Sequence, residues 1–237
     1  MNNFLKLALA LLVIFLSSCT TTKYIIFEER EDEIFTTDEL KSFLQSNESP
    51  KVVLRVDKVT FNVTDDQNAD EIYNAIENRL LFNGFKVRDR QLFEQIVQNE
   101  GNTTDYSEIS KQTDTDLIIE LVNVNFDIEF ETNIVHYPNG KTRVNQNNTF
   151  YENGASIEFK VVLIKDNDYA GLYKLNYTPC LQPCYFELSN KDRRIQELKK
   201  RQNKSEAIVN VLEGSSAFTE FVKSATDELV ENMRNNK

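Results

Sequence analysis

From Val122 to Glu131 the chain alternates without a break, Val122, Val124, Phe126, Ile128 and Phe130 against Asn123, Asn125, Asp127, Glu129 and Glu131. A two-residue period sends one set to each side of a pleated strand, so this segment belongs in a sheet with one face buried and one in water. The rest of the chain must supply the cover. Residues 155–165 alternate in the same way (Ile157, Phe159, Val161, Leu163), residues 166–171 hold turn formers, and 172–178 return, which predicts an antiparallel meander. Upstream, KVVLRVDKVTFNV (51–63) reads as a strand. Asn68 and Glu71 form a capping box for a helix over 68–82, with Ile72, Ala75, Ile76, Arg79 and Leu80 at helical spacing and Gly84 just past its end. A short strand at 85–87 and a second helix at 89–99, opened by Asp89 and carrying Leu92, Phe93, Ile96 and Val97, come next. The last amphipathic helix bears Phe218, Phe221, Val222, Ala225, Leu229 and Met233. The expected class is α+β: a mixed sheet with an antiparallel meander and helices packed mainly on one face, as one domain over 51–237. Within it, 131–153 is read as a hairpin arm turning at HYPNG, and 190–214 as a charged helix or linker.

The first residues set the compartment. Lys6 precedes ten unbroken apolar residues (7–16), then come Ser17, Ser18 and Cys19. A charged start, an apolar middle and small residues before a cleavage point make a secretion signal over 1–18. Ten residues are half of the roughly 20 that span a bilayer. Leu16-Ser17-Ser18-Cys19 fits the bacterial lipobox, in which Cys19 takes a diacylglycerol. Thr20 stands where an Asp would retain the protein in the inner membrane, so the expected location is the outer membrane, facing the periplasm. Residues 19–50 then form a lipidated tether. It holds an apolar patch at 24–27, either free or docked as an edge strand, and a short helix opened by Thr36-Thr37-Asp38-Glu39, with Leu40, Phe43 and Leu44 on one face.

Removing the leader takes away Lys6 and leaves 26 basic against 38 acidic residues, a net charge of −12. Phosphate backbones need a basic surface, so nucleic acid is excluded as a partner. Of the three cysteines, Cys180 and Cys184 remain once Cys19 is assigned to lipid. Spaced as CLQPC, they form a short-loop disulfide, two free thiols or, with further ligands, a metal site. His136 is the single histidine, which removes triads and multi-histidine metal sites. No nucleophile elbow, zinc-protease or phosphate-loop motif occurs. Thr64-Asp65-Asp66 lacks the spaced ligands of a calcium loop and reads as a helix entry, and Asp127, Glu129 and Glu131 read as the solvated side of their strand. No catalytic residue and no cofactor beyond the lipid on Cys19 is expected.

GFKVRDRQLFEQIVQNE (84–100), TDTDLIIELVNV (113–124) and VVLIKDNDYAGLY (161–173), with Arg90, Leu92, Glu100, Asp116 and Gly171 at the matching places, resemble the curli-secretion lipoproteins (CsgG-like). They also resemble the related activators of penicillin-binding proteins (LpoB-like). Leu121 stands where that family has a strand glycine, and Leu172 where an acidic residue follows the hairpin glycine. The resemblance covers about 51–178 and the last helix. It implies a lipid-anchored, non-enzymatic assembly, regulatory or binding module whose partner is another envelope protein. The alternative is a subunit of a secretion channel, with self-association left open. A membrane hairpin needs two alternating strands, and KTRVNQNNTFYEN (141–153) has no apolar face, which argues against the channel. Seven cations, Lys191, Arg193, Arg194, Lys199, Lys200, Arg201 and Lys204, stand close together in this acidic chain. They form either a solvated linker or a contact for anionic headgroups or an acidic partner.

Overall fold

The computed structural model describes residues 23–56, 66–91, 93, 95, 113–146, 149–166, 168–186 and 216–235. In chain order these form β1 (Lys23–Ile25), β2 (Glu33–Thr36), α1 (Asp38–Ser46), β3 (Lys51–Val56), α2 (Asp66–Phe82), β4 (Lys86–Val87), β5 (Leu117–Thr132), β6 (Ile134–His136), β7 (Thr142–Val144), β8 (Phe150–Leu163), β9 (Asp168–Tyr177), β10 (Cys184–Phe186) and α3 (Ser216–Arg234). The fold is α+β. Six strands make a mixed sheet in the order β2-β9-β8-β5-β3-β4, and four short ones make a second sheet, β10-β1-β6-β7.

In the larger sheet β3 runs parallel to β4 and β5, while β5, β8, β9 and β2 pair antiparallel. Its helical face carries Val52, Leu54, Leu117, Ile119, Leu121, Ile157, Phe159, Val161, Tyr173 and Leu175. They pack against Leu40 and Leu44 of α1, Ile72, Ile76 and Leu80 of α2, and Val222, Leu229 and Met233 of α3. Each such side chain taken from water contributes about 1.5–3 kcal/mol. The helix ends follow local rules. The Thr37 hydroxyl accepts from the Leu40 amide at 3.3 Å. At the end of α2, Gly84 (φ +86°) allows Phe85 N–H to reach Leu80 O and Gly84 N–H to reach Leu81 O, both at 3.0 Å, the two bonds of a Schellman turn. Arg79 of α2 and Asn83 just past its end both bind the Asp227 carboxylate of α3, Arg79 Nε at 2.8 Å and Asn83 Nδ2 at 2.8 Å.

The structure departs from the sequence expectations in five places. First, α2 begins at Asp66, so Asn68 lies within its first turn and not at its cap; Thr64 and Asp65 lie outside the described residues. Second, residues 90, 91, 93 and 95 are helical, but Phe93 packs with Val53, Ile118, Val162 and Ile164 on the sheet face opposite α2. The runs VVL in β3 and LII in β5 are apolar at every position, so these strands are buried on both sides and need cover on both. Third, β5 does not keep one phase: its register against β8 shifts between Leu121 and Asn123 and again between Asn125 and Ile128. The first bulge returns Val124 to the helical face, and the second brings Phe130 opposite Glu152 and into a separate cluster with Ile25, Phe27, Val135 and Phe150.

Fourth, residues 23–50 are built into the fold. β1 is a central strand of the small sheet, and β2 pairs with β9 from Glu33↔Lys174 to Thr36↔Gly171. Between them the Asn176 amide donates to Asp32 Oδ1 at 2.6 Å, Asn176 Nδ2 to Glu31 O at 2.8 Å, and the Arg30 amide to Thr178 Oγ1 at 3.0 Å. Fifth, the 131–153 segment does not project as an arm: β6 pairs with β1 and β7, turning through a Tyr137 O to Gly140 N–H bond of 2.9 Å.

Candidate interaction surface

The small sheet is assembled from four triplets, KYI, IVH, TRV and CYF, drawn from residues 23–25, 134–136, 142–144 and 184–186. Cross-strand partners share a face. Ile25 and Val135, buried with Phe27 and Phe150 and flanked by Tyr137, Cys180 and Cys184, mark the inward side. The register therefore turns Tyr24, Tyr185, His136, Ile134 and Val144 outward together. Tyr24 is the hub of this outer face: its ring stacks on His136 at 5.2 Å and meets Tyr185 edge-on at 5.6 Å. Tyr185 is 65 % exposed, Val144 63 % and Ile134 42 %, values unusual for side chains of this size when they stand side by side. On the inward side Lys23 Nζ lies 5.7 Å from the Tyr137 ring centre and the Arg143 guanidinium 5.9 Å. The twelve strand residues include Lys23, Arg143 and His136 and no Asp or Glu, in a chain with 38 acidic residues.

Cys180 and Cys184 form a disulfide, with Cα atoms 5.3 Å apart. Cys180 sits at φ +53°, and the bond closes the turn that delivers β10 to β1. Cys19 and the cation run Lys191, Arg193, Arg194, Lys199, Lys200, Arg201 and Lys204 lie outside the described residues. His136, read from the sequence as a turn-tip residue, belongs to β6 and lies half-buried against Tyr24. Asp127, Glu129 and Glu131 are exposed.

Of the residues that carry the resemblance, Asp116 and Arg90 make structural contacts, whereas Leu92 and Glu100 lie outside the described residues. Asp116 Oδ2 accepts from the Lys51 amide at 2.8 Å, the Asp116 amide donates to Lys51 O at 2.9 Å, and Asp116 O accepts from Ile164 at 3.1 Å, so this one residue aligns β3, β5 and the end of β8. The Arg90 guanidinium lies 4.4 Å from the Tyr73 ring centre. Asp114, in the left-handed region at φ +52°, is held below the usual carboxylate range by hydrogen bonding to Lys51, with Arg88 adding attraction. Burial raises Glu77, against the attraction of Arg90. Two further exposed apolar sets exist: Phe35, Leu172 and Tyr169 on β2 and β9, and Leu81 with Phe82 at the end of α2. The first is flanked by the charged rows Glu33–Lys174–Glu158 and Arg55–Glu120, which mark a solvated face.

The outer face of the small sheet was not legible as a site beforehand. The apolar patch at 24–27 and the CYF triplet after Pro183 were its traces, but three-residue strands carry no measurable period.

Among the described residues, no helix is long and apolar enough to cross a membrane and no group of His, Cys, Asp and Glu could hold a metal ion. No protein-family model matches the chain, and no curated protein matches it. Among solved structures it is similar to PelC from Paraburkholderia phytofirmans, crystallised as a dodecamer, at 6% identity and TM-score 0.40, over 87% of this chain and 99% of that one. A point variant of the same protein, also a dodecamer, gives 7% identity and TM-score 0.41 over 87% and 100%. A likeness of this degree says nothing about function.

Proposed function

We propose that this chain is a lipid-anchored, periplasm-facing protein of the outer membrane, serving as a non-enzymatic assembly, regulatory or binding module of the cell envelope. The Cys180–Cys184 disulfide carries the reading. Such bonds persist in oxidising compartments, and this one leaves Cys19, at the end of a ten-residue apolar run, as the odd cysteine of three. Acyl chains on Cys19 would each add about 0.8 kcal/mol per buried methylene, enough together for a stable anchor. The CsgG- and LpoB-like segments favour the same class of protein. β6 and β7 have three residues each, against roughly nine to eleven for a membrane-crossing strand, which favours a module over a channel subunit. The test is metabolic labelling with an acyl analogue followed by membrane fractionation. The native chain should be labelled and sediment with outer membranes, whereas Cys19→Ser should be neither processed nor labelled. Label retained on Cys19→Ser would overturn the anchor, and discrete conductance steps from reconstituted protein would overturn the module.

A further inference from the structure

We infer that the outer face of the small sheet, Tyr24, Tyr185, His136, Ile134 and Val144, is a docking surface for the lipid–water interface, holding the domain against the membrane in one orientation. The inference rests on the acylation of Cys19 proposed above. Distance comes first. Lys23 opens β1 four residues after Cys19, and four residues span at most about 14 Å. The headgroup layer of one leaflet is itself roughly 5–8 Å thick, so an anchored Cys19 leaves the small sheet no freedom to stand away from the surface. The start of β1 therefore lies within reach of the headgroups.

Its chemistry suits that place. Tyrosine rings pair an apolar body with a hydroxyl that stays wet, and for that reason collect at membrane interfaces. Tyr24 and Tyr185 form such a pair, flanked by the exposed aliphatic side chains of Ile134 and Val144. Charge does not oppose this face. The chain without its leader, at net −12, is repelled by anionic lipid, but the four strands of this sheet hold no carboxylate; Lys23 and Arg143 lie on its inward side with Ile25 and Val135. The larger sheet presents Glu33, Glu120 and Glu158 on its solvated face. The outer face is fixed in place by its inward side, where Ile25, Val135, Phe27 and Phe150 pack together, and by the disulfide that ties β10.

The chain contains no tryptophan, so one introduced residue is a clean reporter. Lipidated Tyr185→Trp protein, expressed with its own leader, is reconstituted into phosphatidylethanolamine–phosphatidylglycerol vesicles carrying brominated acyl chains. Phe82→Trp, on α2 at a 76 % exposed position, is the control. Interfacial insertion should quench Tyr185→Trp at least about twofold more than Phe82→Trp, with a blue-shifted emission, and Val144→Glu in the Tyr185→Trp background should remove the difference. Far-UV circular dichroism checks that each variant is folded, and mass spectrometry reads the acyl group on Cys19. Equal quenching of the two reporters in acylated protein overturns the docking surface and leaves the anchor standing. Tyr185→Trp crosslinking to an envelope protein while unquenched overturns it in favour of a protein partner. An unacylated Cys19 overturns anchor and docking together.

Discussion

Two glycines show how closely this interior is filled. A Cβ on Gly171 would sit 2.5 Å from Cε2 and 2.6 Å from the hydroxyl of Tyr173, and one on Gly154 would sit 2.4 Å from both Phe130 Cε2 and Tyr177 O. Gly171 therefore makes room for the largest fully buried side chain among the described residues, whose hydroxyl shares a 2.8 Å hydrogen bond with Thr36 Oγ1 of β2. Burial pushes the Tyr173 hydroxyl up to about 12, from an ordinary value near 10. The unfolded chain thus releases this proton first as pH rises. The stability linked to Tyr173 is whole below pH ~10 and is lost between about 10 and 12, on the order of 2–3 kcal/mol. Chemical denaturation at pH 8 and pH 11.5 should show Tyr173→Phe losing less stability over that range than the native chain. Identical losses would mean that the Tyr173 hydroxyl does not titrate differently in the two states.

Among the elements, the small sheet is the weakest. Strands of three residues make few ladder bonds, and only the inward cluster and the disulfide hold them. Closing a five-residue loop is worth about 2 kcal/mol by chain entropy, most of it felt at β10 and its neighbour β1. Reduction of Cys180–Cys184 should speed amide exchange at Tyr24, Ile25 and Tyr185 by about tenfold or more, and leave β5 and β8 unchanged. Exchange accelerating equally in Ile119 and Val161 would show that the two sheets open as one unit.

At the scale of the molecule, the N-terminal segment is part of the core. Ile25, Phe27, Leu40 and Leu44 are buried, and at about 1.5–3 kcal/mol each they contribute roughly 6–12 kcal/mol. That matches the whole stability of an ordinary domain, about 5–15 kcal/mol. A chain shortened to begin at residue 50 should lack a cooperative thermal transition in calorimetry, and a melt within a few degrees of the native one would refute this.

What could be read from order along the chain was whatever depends on near neighbours. The Thr37 cap, the Schellman turn at Gly84, the pairing of 117–130 with 154–165 and the apolar stripes of α2 and α3 all follow from side-chain periods of 2 or 3.6 and from backbone freedom at single residues. The phase of β5 was not of this kind, because a bulge is set by the partner strand and adds no mark to the alternation. Nor was the side of the sheet chosen by Phe93, since a strand apolar at every position accepts cover on either face. The outer face of Tyr24, Tyr185, His136, Ile134 and Val144 unites triplets up to 160 residues apart, from Tyr24↔His136 and Tyr24↔Tyr185 pairing. Three residues are too few to carry a period, so their neighbourhood exists only once the chain has folded.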